Sequence, residues 1–278
     1  MVLVLSAVAV VLVVVGPLLK HADNVTPESP TEVRYALAYS AGLFDLGTEA
    51  NVPTWFAATL LVLLALALVV TAVAARARGG AAGPYLVLAV VALVLSVDEA
   101  AELHEQLNLL AGRLEEWLGP LPTFSWIVPG AALAAAAGTA LLWLGRQLPG
   151  QLRRRLVISG TVFLLGALVV EGLSGSIVGA TGYENPTYLA LNALEEGLEK
   201  AGVLLALSAV LARLHVRLTA DGLSVALAAS PDDAQDAAEW VPYPTTAGGQ
   251  LGRGGHAGPI ASPRGSAESS TDVPRAVR

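Results

Sequence analysis

The 278-residue chain contains no cysteine and few charged residues, which make up 14% of it. The absence of cysteine excludes disulfide bonds, thiolate metal ligands and cysteine nucleophiles. Soluble domains are about 25% charged, whereas this chain is 54% hydrophobic with a mean hydropathy of +0.62. This composition excludes a soluble enzyme, a disordered protein and a nucleic-acid binder, and it indicates an integral membrane protein.

The apolar runs predict an all-α bundle of six transmembrane helices, because a helix needs roughly 20 mostly apolar residues to cross the bilayer core. We expect the spans at about residues 1–19, 55–75, 84–103, 124–144, 156–180 and 188–212. The first run lacks the basic start and the cleavage site of a signal peptide, so we expect it to be retained. The third and sixth runs reach full length only by including acidic residues. Short re-entrant or interfacial segments are the alternative there.

Basic residues predict the orientation, since they mark the cytoplasmic side of a membrane protein. Arginines follow the second, fourth and sixth runs, and the opposite loops are poor in basic residues. We therefore expect a multi-pass protein of the plasma (inner) membrane with both termini in the cytoplasm. Residues 1–217 are expected to form the membrane domain. Residues 218–278 are expected to form a flexible, disordered cytoplasmic tail, because the chain from Ser230 onward is rich in Gly, Pro, Ala and Asp.

Two segments outside the spans also have helical patterns. The stretch 35–46 is apolar enough for a short helix on the outer surface. Leucines recur at helical spacing from Leu103 to Leu118, which predicts that the third helix continues outward until Gly119 ends it. Asn51 and Pro53 predict a capped helix start before the second span.

Acidic residues in three predicted spans reach a similar depth, about 21–27 Å above the inner boundary at 1.5 Å per residue. These carboxylates are Asp98, Glu99, Glu171, Glu195, Glu196 and Glu199. Each such charge costs about 2.5–3.5 kcal/mol on insertion scales. The nearby cationic partners are Lys200 and His104. The negative surplus therefore predicts a bound cation, a proton store or a water-filled cavity.

The donor types in this cluster predict a divalent metal ion held mainly by oxygen. The expected metal ligands are Asp98, His104, Glu171, Glu199 and Glu49. Oxygen ligands favour Ca, Mg or Mn, and the imidazole also admits Zn or Fe. Glu99 or Glu195 is the candidate catalytic base that would activate water. Asn108 replaces the second histidine of an H-E-x-x-H motif, so a zincin site is not supported.

Three segments carry a resemblance to a known family: FDLGTEANVPTW at 44–55, SVDEAAELHE at 96–105 and LEEGLEKAG at 194–202. In their order they resemble a widespread group of uncharacterised bacterial polytopic membrane proteins. The resemblance covers roughly residues 40–212. It implies that seven residues match motif positions of the family: Glu49, Asp98, Glu99, His104, Glu171, Glu195 and Glu199. It brings no established activity. A more distant resemblance is to the ceramidase-like membrane hydrolases, which hold zinc with histidines and an aspartate, but this chain lacks their paired histidines.

Three functions fit the acidic cluster. The first is a metal-dependent membrane hydrolase acting on lipid-like substrates, the second is a cation or proton transporter, and the third is a structural or sensory bundle. The hydrolase is favoured because the polar site is one-sided, with spans of mostly Leu, Val and Ala below it. The expected partner is membrane lipid and not nucleic acid, and the sequence names no protein partner.

Overall fold

A computed structural model describes residues 1–26, 30–119, 121, 123–219 and 222–228, and the protein is mostly helical. The helices are α1 (Val2–Val25), α2 (Thr31–Leu43), α3 (Val52–Ala77), α4 (Gly83–Ala101), α5 (Asn108–Leu118), α6 (Ile127–Leu144), α7 (Gly150–Leu164), α8 (Glu171–Thr181) and α9 (Pro186–Leu211). Short 3₁₀ turns occupy His104–Leu107 and Gly145–Gln147. A π-helical turn, Leu165–Val170, joins α7 to α8.

Five helices are long and apolar enough to cross a membrane. They are Val2–Val25, Val52–Ala77, Gly83–Ala101, Ile127–Gln147 and Gly150–Thr181. They coincide with the first five predicted spans, because an uninterrupted apolar run is the direct signal of such a helix. The 26-residue α9 also matches its predicted range, but it carries four charged residues in its middle. Its role as a sixth span stays a prediction, as does the orientation of the bundle.

The helix α9 lies at the centre of the described bundle, where it packs against α1, α3, α7, α8 and the π-helical turn. The apolar core forms mainly between α9 and the paired helices α3 and α4, with Leu60, Leu68, Leu207 and Val210 at most 1% exposed. Other large aliphatic side chains point outward, such as Leu3 (86% exposed) and Leu133 (62%). An apolar exterior around a helical bundle is suited to contact with lipid.

An antiparallel hairpin follows α9 and corrects the strictly all-α expectation. Strand β1 (Leu214–Thr219) pairs with β2 (Gly222–Leu227) so that Leu214 lies opposite Leu227. The β-branched Val216 and Val225 favour extended backbone, and β2 packs against α3 with Leu227 against the core. The first residues of the predicted tail are thus part of a hairpin. The rest of the tail prediction, from residue 229 onward, lies outside the described residues.

The segment after α4 corrects a second expectation, because it does not continue that helix outward. Glu102 adopts a left-handed conformation (φ 51°, ψ 41°) directly after Ala101, and a separate helix, α5, begins at Asn108. The physical reason is a side-chain bond: the Asp98 carboxylate accepts a hydrogen bond from the backbone N–H of His104 at 2.7 Å. The chain therefore turns sharply at the end of α4, and Asp98 holds the turn closed. The predicted stop at Gly119 is observed, and the short helix expected at 35–46 is present as α2 at Thr31–Leu43. Its place on the outer surface stays a prediction.

Candidate functional site

Asp98 and His104 form the first part of the site, at the end of α4. One Asp98 oxygen accepts the backbone N–H of His104, and the other lies 3.2 Å from the ring nitrogen Nδ1. Both side chains are about three-quarters buried. Burial lowers the pKa of His104. The hydrogen bond and charge of Asp98, together with the charges of Glu171 and Glu105, outweigh this effect, so the pKa lies above its ordinary value. The carboxylate therefore both orients the imidazole and favours its protonated form.

Trp126 connects the His104 imidazole to Glu171, the first residue of α8. Its ring lies against that of His104, with centroids 4.7 Å apart, and its indole N–H donates to Glu171 at 2.9 Å. Gly130, one turn further along α6, makes room for the indole, because a Cβ there would lie 2.6 Å from a ring carbon of Trp126. The result is a continuous chain of contacts from Asp98 through His104 and Trp126 to Glu171.

The π-helical turn sits directly before Glu171 and brings α8 close to α9. A Cβ on Gly166, inside this turn, would lie 2.8 Å from the backbone oxygen of Glu195 and 3.0 Å from Cγ of Glu199. The glycine therefore allows close approach at the acids of α9. Single π-helical turns shift the faces of the residues that follow, and they occur frequently at functional sites.

Ser174 joins the acids of α8 and α9. Its hydroxyl is within hydrogen-bond distance of the Glu171 backbone oxygen, at 2.9 Å, and of the Glu195 carboxylate, at 3.3 Å. The side chain is fully enclosed, with an exposed fraction of 1%. Glu195 therefore contacts the helix that carries Glu171, and the two carboxylates lie within electrostatic reach of each other.

Acids of α4 and of the middle of α9 lie around a lysine. Lys200 is buried and forms an ion pair with Glu196 one turn earlier in the helix. A small cavity beside it is lined by Glu99 and Glu199, and closed by apolar side chains that include Leu60 and Phe163. This lysine is a built-in positive charge among carboxylates, and it offsets one of them.

Glu49 approaches the same acids from the loop between α2 and α3. Its carboxylate accepts a hydrogen bond from the Thr54 hydroxyl at 2.7 Å, and burial raises its pKa, a rise increased by the charges of Glu196 and Glu102. The next residue, Ala50, has a positive φ of 59°. Asn51 caps α3 as predicted, accepting the backbone N–H of Thr54 at 3.1 Å.

The same loop is fastened to two other helices. Lys20 near the end of α1 forms an ion pair with Asp45 at 2.5 Å, and Asp45 also accepts the backbone N–H of Gly47. Gly47 abuts α9, since a Cβ there would lie 2.7 Å from the Tyr188 hydroxyl. The position of Glu49 is therefore set by α1, α3 and α9 together.

The structure brings the predicted site residues to one region in three groups. Asp98, His104 and Glu171 are linked through Trp126, Glu195 is linked to α8 through Ser174, and Glu99 and Glu199 share the cavity with Lys200. Glu49 lies within electrostatic reach of His104 and Glu196. In the part of the chain that the structure describes, no three His, Asp or Glu side chains form a group that could hold a metal ion. The five-ligand set stays a prediction.

The sequence counts Glu196 among the acids but predicts no metal or catalytic role for it, and it does not place Trp126 in the site. Glu196 lies within electrostatic reach of carboxylates from the loop and from α4, α8 and α9. Its spacing of four residues from Lys200 was an available signal for the ion pair. Trp126 gave no such signal, because its indole partner Glu171 is 45 positions away. The acidic cluster is defined below as Glu49, Asp98, Glu99, Glu171, Glu195, Glu196 and Glu199, with His104 and Lys200.

The chain belongs to the family described as a domain of unknown function, DUF8692, whose model matches residues 2–214. The match includes all helices of the bundle and every residue of the acidic cluster. It confirms membership of an uncharacterised family. No curated protein and no solved structure matches the chain.

Proposed function

We propose that this protein binds a divalent metal ion at its acidic cluster and uses it to hydrolyse a lipid-like substrate in the plasma membrane. The observation that supports the proposal best is the pair of contacts that Asp98 makes with the backbone N–H and the ring nitrogen Nδ1 of His104. A carboxylate bonded to one ring nitrogen fixes the imidazole and increases its basicity, which is the usual support of a metal-ligating histidine. Because Asp98 engages Nδ1, the nitrogen that remains for a ligand is Nε2.

Glu171 is the second proposed ligand, and Trp126 sets its position. The indole N–H occupies one carboxylate oxygen of Glu171 and leaves the other for a cation. Glu49 and Glu199 complete the proposed ligand set. Glu49 lies within electrostatic reach of His104, and Glu199 lies within electrostatic reach of Glu195 and Glu196. Asp98, which the sequence predicts as a ligand, is proposed instead to support His104. With such an ion bound, Glu99 or Glu195 would accept a proton from a water molecule, whose pKa the ion would lower.

The charge balance of the cluster also supports a bound cation. Among the described residues of this region, seven carboxylates face one lysine and one histidine, so most of the negative charge there has no positively charged side chain as a partner. Close carboxylates cannot all ionise unless a positive group joins them. The exposed apolar side chains of the bundle support a lipid-like substrate, since such a surface is suited to contact with lipid.

The metal content of the purified full-length protein tests this proposal. We expect the detergent-solubilised wild type to retain a divalent ion after gel filtration, and Glu171→Gln and His104→Asn to lose it. Glu116→Gln is the matched control, because Glu116 is an exposed acid of α5 outside the cluster. Wild-type protein that binds no Ca, Mg, Mn, Zn or Fe, even when these ions are added, contradicts the proposal.

The hydrolase activity needs a separate measurement. Metal-loaded protein in mixed micelles is expected to release a cleavage product from a membrane lipid, and chelation is expected to stop the release. Glu99→Gln and Glu195→Gln, tested singly, identify the base as the one whose loss abolishes turnover while metal binding persists. Metal binding without cleavage of any membrane lipid would leave a binding protein and refute the hydrolase.

Cation or proton transport is the second candidate, and the buried pair of Lys200 and Glu196 favours it. Ionisable groups buried among membrane helices often mark an ion or proton path, and here Glu99 and Glu199 line a cavity beside the pair. Ion flux in proteoliposomes tests this function. Transport requires flux that Glu199→Gln abolishes and Glu116→Gln leaves unchanged.

We also propose that α9 is the sixth span and that both termini lie in the cytoplasm. The absence of cysteine makes the test direct, because a single introduced thiol has no background. Thr187→Cys and Arg213→Cys, near opposite ends of α9, are expected to react with a membrane-impermeant maleimide from opposite sides of the membrane. Labelling of both from one side contradicts the sixth span.

A further inference from the structure

The helix α5 carries an apolar stripe that the protein leaves uncovered. Trp117 is 87% exposed and Leu110 is 48% exposed. They are seven residues apart, which is about two helical turns, so they lie on one side of the helix. On the adjoining side, Ala111 is fully buried against the bundle. The apolar half of α5 is therefore only partly used for packing within the chain.

The opposite half of α5 is charged. Glu115 and Glu116 are exposed, and at 100° per residue they point away from the side that carries Leu110 and Trp117. Exposed Arg113 lies at the edge of the stripe beside Trp117, where its long side chain can extend toward water. Leu109, which is also exposed, lies beside Glu116 on the charged side. A helix with one apolar and one charged side is stable where an apolar and an aqueous phase meet. Neither full immersion in water nor burial in hydrocarbon suits both halves.

The location of α5 supplies such a boundary. The helix lies in the connection between α4, which ends at Ala101, and α6, which begins at Ile127, and both of these are long and apolar enough to cross a membrane. It packs against α6 and against the 3₁₀ turn that carries His104. A helix tied at both ends to membrane-spanning helices lies near the level at which those helices leave the bilayer.

We propose that α5 is an interfacial helix whose Leu110–Trp117 stripe inserts among the phospholipid headgroups. Tryptophan supports this partner, because its ring combines a large apolar body with an N–H that prefers a hydrated neighbour, and it is enriched at membrane–water interfaces. The proposal concerns membrane contact and does not depend on the chemistry of the acidic cluster.

Site-directed spin labelling of the full-length protein tests this inference. Because the chain has no cysteine, Leu110→Cys, Trp117→Cys, Glu115→Cys and Glu116→Cys each carry one nitroxide after reconstitution into phosphatidylcholine–phosphatidylglycerol vesicles. The accessibility of each label to oxygen and to a water-soluble nickel complex gives its depth. We expect the labels at 110 and 117 to lie about 5–10 Å below the phosphate level, and those at 115 and 116 to lie in water.

The two labels on the stripe are independent, so the result stands if one variant fails to fold. Equal contact of all four labels with the nickel complex would show α5 in water and overturn the proposal. Spin–spin broadening at 110 or 117, with low accessibility to both reagents, would show a second copy of the chain on the stripe and overturn it as well.

Discussion

Lys200 and Glu196 form an ion pair one helical turn apart in α9, and the lysine is only 2% exposed. A lysine is seldom enclosed this fully unless it is paired. Here the partner is one of several acids, and Glu99 and Glu199 also lie within electrostatic reach of the ammonium group. The lysine therefore supplies part of the positive charge that the acids require.

We predict that Lys200→Met lowers the stability of the protein by about 3–5 kcal/mol, because it leaves Glu196 buried without its partner. The double variant Lys200→Met with Glu196→Met is expected to recover most of the loss, since it removes both charges. Thermal unfolding in detergent, followed by tryptophan fluorescence, gives the comparison. A single variant as stable as the wild type would show that the pair carries no structural role.

Glycine at position 166 is predicted to be necessary for the contact between the π-helical turn and α9. Gly166→Ala places a Cβ 2.8 Å from the Glu195 backbone oxygen, and overpacking of this kind costs about 1–3 kcal/mol. Gly160→Ala is the matched control in α7, because a Cβ there meets nothing within 4 Å. It is expected to leave stability unchanged or to raise it by up to about 1 kcal/mol.

The melting temperatures of the two glycine variants decide this prediction. Equal values for Gly166→Ala and Gly160→Ala would mean that the close approach at 166 is not maintained in the protein.

The Asp98–His104 pair predicts a specific dependence of stability on pH in metal-free protein. The pKa of His104 in the folded state is raised, so the folded state binds the proton more tightly than the unfolded chain does. The resulting stabilisation is fully present below the unfolded pKa of about 6.5, and it is lost as pH rises through the folded-state pKa. Asp98→Asn is expected to remove most of this contribution.

The measurement is the difference in melting temperature between wild type and Asp98→Asn, with a chelator present, from below the unfolded pKa of His104 to above its folded-state pKa. We expect the difference to be largest at low pH and to shrink as pH rises. Asp45→Asn, which breaks the ion pair with Lys20 and involves no histidine, is the control whose difference from wild type stays constant. A constant difference for Asp98→Asn as well would contradict the assignment.

The predictable part of the fold is the part that follows from local apolar content. Five of the predicted spans coincide with helices that are long and apolar enough to cross a membrane, because long apolar runs have few other ways to satisfy their backbone groups there. The cap at Asn51 was also predictable, since the side chain acts on a backbone group three residues away.

The remaining features depend on contacts that are distant in the sequence or on rare backbone states. The leucine spacing after Asp98 predicts a continuous helix. A turn forms at Glu102 instead, because the Asp98 carboxylate accepts the backbone N–H of His104. The π-helical turn before Glu171 has no sequence signature that distinguishes it from an ordinary helix. The depth count predicts that the acids share a level. Their division into groups around Trp126, Ser174 and Lys200 depends on contacts between different helices, which the sequence does not reveal.

The most direct test of the account is the detection of a histidine nitrogen on the bound metal ion. Mn²⁺ added to metal-free protein is expected to bind the acidic cluster, and its electron spin echo envelope is expected to show modulation from the imidazole nitrogen of His104. His104→Gln is expected to lose this modulation, whereas replacement of His215, which lies in β1, retains it. Mn²⁺ that binds with no nitrogen modulation, or with a modulation that His104→Gln leaves intact, would contradict the proposed site.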